Sequence, residues 1–207
     1  KAFYYRPEKL KEFEELKRCE GKFIDDFSSL NVGCSFADTG INSMTMWAHY
    51  ANNHQGYCAA YDMRKDMENS ELRTFAFPIQ YVDERIDITD IMYKQIQIML
   101  DEKKRQIALG RNVILLNDFT LPYITIWLSH IKFKDWEKEK EFRVSVGSNI
   151  NKKYCKAIPS AIYIGMKCTQ ENEKKLMNIA REQNIPVFKM IYSDITGNFD
   201  LGCQQLF

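Results

Sequence analysis

The apolar spacing of this chain switches repeatedly between the helical and the strand period. That switching restricts it to a mixed α and β architecture. The longest helical run is Asp90 to Leu109, ended by Gly110. Ile91, Met92, Ile96, Met99 and Leu100 form its apolar face, and Asp101 to Arg105 is a solvated stretch. Pro7 to Cys19 also reads as a helix, stopped at Gly21. Asn42 or Ser43 caps a helix through Ala51, with Met44, Trp47, Ala48 and Ala51 on one face. A further helix starts near Thr120, with Pro122 in its first turn and Ile124, Trp127, Leu128 and Ile131 facing inward. Thr169 caps another, with Glu171 and Glu173 at its positive end, and Pro186 prevents its return. Strands are expected at Leu30–Phe36, Tyr57–Tyr61, Phe77–Val82, Glu141–Val146, Ala157–Gly165 and Pro186–Tyr192. The tail to Phe207 is ambiguous. No repeat or low-complexity linker marks a boundary. The expectation is one α+β domain over residues 1–207, a mixed or antiparallel sheet with helices packed against it.

Charge narrows the partners. Lys and Arg total 29 and Asp and Glu 28, interspersed, so no basic stripe points to a nucleic acid. The six cysteines are scattered without a Cys-x-x-Cys pair, which reads as reduced thiols in a cytoplasmic protein. No apolar run approaches the roughly 20 residues of a membrane span. No signal peptide is visible, and the chain begins at Lys1, which suggests a missing N-terminal segment.

Two polar clusters stand out. The first is Cys34-Ser35-Phe36 followed by Met46-Trp47-Ala48-His49-Tyr50-Ala51 and His54-Gln55-Gly56-Tyr57-Cys58, which holds two of the three histidines. His49 and His54 are five apart, so they do not share a helix face as paired metal ligands would, and no acidic or cysteine ligand accompanies them at metal spacing. Two readings remain. Trp47 and Tyr50 pack in the core while His49 satisfies backbone groups. Or His49, Tyr50 and His54 line a polar pocket at a helix end and hydrogen-bond a sugar or phosphate.

The second cluster is Lys132, Trp136, Glu137, Glu139, Glu141 and Arg143. Strand alternation predicts Glu139, Glu141 and Arg143 on one face, opposite Phe142 and Val144. In a cleft, the two carboxylates would raise one another's pKa; one would act as base while the other orients a hydroxyl. Arg143 would pair with a carboxylate or hold a phosphate. The plain alternative is a set of edge-strand charges that discourage aggregation. His130 reads as a surface or capping histidine, and Lys152-Lys153 as a dibasic loop.

Three stretches carry a resemblance: Cys34-Ser35-Phe36 leading to Trp47-x-His49-Tyr50-Ala51-x-x-His54-x-Gly56-Tyr57-Cys58 and Asp62; Trp136-x-x-Glu139-x-Glu141-Phe142-Arg143; and Ile162-Tyr163-Ile164-Gly165. In these the chain resembles a bacterial family of unknown function, DUF2971. Members of that family begin with a short aromatic strand and an Asn-Asp-Pro segment, both lacking here. The chain is also distantly similar to ADP-ribosyltransferases, many of which place a Glu-x-Glu pair at a strand entry, the second Glu contacting the nicotinamide ribose. Glu139-x-Glu141 stands in that way. This likeness implies a polar pocket that binds a nucleotide and cleaves or transfers from NAD. Glu141 would be the catalytic carboxylate and Glu139 would position acceptor or water. Ser35, Trp47, His49, Tyr50 and His54 would bind ligand, with Arg143 steadying charge. The rival expectation is a non-enzymatic ligand-sensing or protein-interaction module, in phage defence or stress response.

Overall fold

A computed structural model describes residues 3–4, 31–64, 70–111, 120–147, 157–193 and 200–207. The helix expected over Pro7–Cys19, the Lys152-Lys153 loop, Cys19 and Cys155 lie outside them. Strands and helices alternate along the described chain in an α+β arrangement. They pack as two compact units: residues 1–36, 77–137 and 141–153 in the first, and residues 37–76, 138–140 and 154–207 in the second.

The second unit is built on one mixed sheet. Its strands are β3 (Tyr57–Ala60), β9 (Ala161–Ile164), β10 (Val187–Tyr192) and β11 (Leu201–Gln205), in the order β11-β10-β9-β3. β9 runs parallel to β10 and antiparallel to β3, and β10 is antiparallel to β11. A parallel pair needs a crossover, and the helix Gln170–Glu182 supplies it. Thr169 caps that helix as expected, its hydroxyl accepting from the Asn172 N–H at 3.3 Å. Ile162, Ile164, Ala180, Ile185 and Val187 form the core under it. The helix Met44–Tyr50 is capped by Ser43, and its Trp47 and Ala51 pack with Met190 and Leu201. The tail thus forms a strand, β11, whose partners lie on β10.

The first unit holds short strands. β8 (Glu141–Gly147) is the centre of a three-stranded sheet, β2-β8-β4, flanked by β2 (Asn31–Ala37) and β4 (Ala76–Pro78). β5 (Gln80–Val82) and β7 (Ile131–Phe133) pair in parallel, with Tyr81 opposite Lys132. β1 (Phe3–Tyr4) pairs with β6 (Ile86–Asp87). The helices Thr89–Ala108 and Thr120–Ser129 complete the unit, and Ile88, Leu128 and Ile131 form its core.

Several local expectations are corrected. The single strand predicted over Phe77–Val82 is two strands in different sheets. They part at Ile79, whose N–H donates to the Glu141 carbonyl while the Gln80 N–H donates to the His130 carbonyl. Ile131 is buried, but on β7 and not on the preceding helix, and Trp127 is exposed. His130 is buried and not on the surface, but it does cap the preceding helix: its two ring nitrogens lie 2.8 Å from the Ile126 carbonyl and 3.0 Å from the Arg143 carbonyl.

Candidate functional site

The first unit concentrates charge around one carboxylate. Glu141 opens β8 and is 5% exposed. Its backbone N–H donates to the Tyr81 phenol oxygen at 2.8 Å, which fixes the strand entry against β5. Lys132 Nζ reaches Oε2 at 2.9 Å, and Arg143 donates to Oε1 from Nε at 2.9 Å and Nη2 at 2.7 Å. Arg143 Nη1 donates to the Ser129 carbonyl. That carbonyl sits at the C-terminal end of a helix, where a cation is favoured.

Strand geometry explains the pairings. Glu141 and Arg143 are two apart on β8, hence on the same face. Lys132 comes from β7. Burial alone would push the Glu141 carboxyl up. The Ser35 hydroxyl, Lys132 and Arg143 outweigh it, so the carboxyl is held below its usual range. The expectation of mutually raised carboxylates is therefore overturned at Glu141. Among the described residues two cations, Lys132 and Arg143, pair with this one carboxylate, and both keep part of their side chains in solvent.

Glu139 does not share that strand face. It ends a 3-10 segment, Lys134–Glu139, and Lys140 follows with φ +45°, which breaks the alternation before β8 begins. Glu139 is buried in the second unit, where its Oε1 accepts from the Tyr50 phenol at 2.8 Å.

The histidine segment also belongs to the second unit. Trp47 is buried, with its indole N–H donating to the Ile41 carbonyl at 2.8 Å. His54 is buried and stacks on Trp47, ring centroids 6.1 Å apart. Its Nδ1 has no hydrogen-bond partner among the described residues. Burial, then the Lys167 charge, pushes the imidazole below its usual pKa. Asn52, Asn53 and His54 are successive left-handed residues, so the helix end curls tightly back. His49 and Tyr50 are exposed and meet edge to face at 6.4 Å. The structure thus joins Tyr50 with Glu139, and Glu141 with Arg143 and Ser35, while Trp47 and His54 stand in a packed core.

Sequence reasoning left Tyr81, Ser129 and His130 out of the site. Tyr81 was legible only through the β5–β7 register, a long-range pairing. Among the described residues, no group of three His, Cys, Asp or Glu side chains could hold a metal ion, and no helix is long and apolar enough to cross a membrane.

Residues 46–144 match the model of a family described as a protein of unknown function, DUF2971. The match takes in both the Trp47–Cys58 segment and the Trp136–Arg143 segment. No curated protein and no solved structure matches the chain.

Proposed function

We propose that the first unit binds a nucleotide-like ligand at the Lys132–Glu141–Arg143 cluster and cleaves NAD or transfers its ADP-ribosyl group, with Glu141 as the fixed carboxylate. The observation that carries this reading is the state of Glu141: buried, held ionised, and oriented from three sides. Cleavage of the ribose–nicotinamide bond sends the bonding pair to the ring nitrogen and leaves positive charge on the ribose. A carboxylate that needs no reorganisation stabilises that charge. Lys132 and Arg143 keep their bonds to Glu141 and present their solvent-facing N–H groups to the ligand's phosphates. Ser35 holds the carboxylate in orientation. Glu139, bonded to Tyr50, takes no part in this version of the mechanism.

The test is nicotinamide release from NAD by wild type and Glu141→Gln, read beside ligand-induced thermal shift. The amide keeps the shape and loses the charge. Release is expected to fall at least about a hundredfold while ligand still stabilises the variant. Equal release by both proteins removes Glu141 from the mechanism.

One observation favours a second reading. Both Glu141 oxygens are engaged by cations, an arrangement that also suits a carboxylate whose task is to hold Lys132 and Arg143 for an anionic ligand. A binding module of that kind gives a saturable thermal shift in wild type without nicotinamide release.

A further inference from the structure

We propose that the Trp136 indole is the ring-stacking surface of this site and selects a positively charged aromatic ring, a pyridinium, over its neutral form. The inference rests on the nucleotide reading above. Trp136 lies in the 3-10 segment between β7 and β8, among Lys134, Asp135, Glu137 and Lys138, and is 42% exposed. Part of this large ring therefore stays open to solvent, in a segment with four charged residues. Its face is already used electrostatically: Lys132 Nζ stands 5.2 Å from the ring centroid. That same ammonium bonds Glu141 Oε2 at 2.9 Å. One lysine therefore ties the indole to the carboxylate, and the ring lies within one side chain's reach of Glu141.

The negative face of an indole attracts cations, and the attraction grows when the cation is poorly hydrated. An ammonium is compact and strongly hydrated. A pyridinium spreads its charge over a flat apolar ring, so it can stack on the indole and bury area there as well. It competes for the face that Lys132 now occupies, and the displaced ammonium stays beside Glu141 within reach of ligand phosphates. The same chemistry favours product release. Heterolysis of the C1′–N bond gives the pair to the ring nitrogen, so the leaving ring is neutral and loses the cation–π attraction. The ribose carbon is captured by water, whose proton passes to solvent.

The probe is carba-NAD+, in which carbon replaces the oxygen of the nicotinamide ribose, so that the ligand is not consumed. Its dihydro form, with a neutral ring, is the control. Both are titrated calorimetrically into the full chain and into Trp136→Leu and Trp136→Phe. Wild type is expected to favour the cationic form. Leucine should weaken that form about tenfold and leave the dihydro form unchanged, with phenylalanine between. Circular dichroism establishes that each variant is folded. If Trp136→Leu does not fold, loss of the cationic preference in the Trp136→Phe variant decides in its place. Undiminished binding of carba-NAD+ by the folded variants overturns the role of Trp136 and leaves the nucleotide reading standing. No binding of either form to wild type overturns both.

Discussion

Glu141 Oε1 accepts two hydrogen bonds from Arg143, from Nε at 2.9 Å and Nη2 at 2.7 Å, across two positions of one strand. With Lys132 on the other oxygen, this pair fixes the carboxylate at the entry to β8. Its folded pKa is depressed, so its contribution to stability is present above the unfolded value, about 4.5, and is lost as pH falls through the folded value. Glu141→Gln is expected to cost about 1–3 kcal/mol near neutral pH and to flatten acid unfolding in that window. Urea melts of both proteins between pH 3 and pH 7, at roughly half-unit steps, check this.

His54 gives a pH dependence of its own. Burial, and then Lys167, lowers its folded pKa below 6.5, so the unfolded chain binds more protons below that value. Stability from this residue is full above pH 6.5 and declines as pH falls below it. Asn removes the titration and tolerates the left-handed backbone at φ +69°. The variant His54→Asn is expected to flatten the stability profile below pH 6.5. A profile parallel to wild type refutes the assignment.

At Gly165 two backbone segments approach closely. Its N–H donates to the Gly56 carbonyl at 2.9 Å, and an added Cβ would overlap the His54 carbonyl and stand 2.8 Å from the Gly56 oxygen. Backbone cannot move aside as a flexible side chain does. Gly165→Ala is expected to cost about 3 kcal/mol or more. A denaturant midpoint within error of wild type contradicts the close approach.

Tyr50 is 60% exposed, yet its phenol bonds the buried Glu139 carboxylate. The variant Tyr50→Phe is expected to cost about 1 kcal/mol. In a double-mutant cycle with Glu139→Gln, the coupling should be about 0.5–1.5 kcal/mol. Additive losses would show that the bond contributes nothing to stability.

The sequence was most legible where one period rules a whole element. The helices at Met44–Tyr50, Thr89–Ala108 and Gln170–Glu182, and strands β3, β8 and β10, follow from spacing and caps alone. It was least legible where long-range pairing decides. Pro78 gives a local cue to a break beside Ile79, but the change of partner there, from the Glu141 carbonyl at Ile79 to the His130 carbonyl at Gln80, is decided by folding. The positive φ at Lys140 separates Glu139 from Glu141, which strict alternation had put on one face. The pairing of Glu141 with Arg143 was readable, because two residues apart on one strand is enough. The contributions of Ser35 and Lys132 depend on β2 and β7 being brought beside β8 or next to it by folding.

Hydrogen–deuterium exchange with and without carba-NAD+ tests directly where the ligand sits. Binding at the Glu141 cluster predicts slowed exchange in peptides covering Ile131–Phe133 and Glu141–Ser145. Ligand-induced protection confined to other segments, or none at saturating ligand, contradicts it.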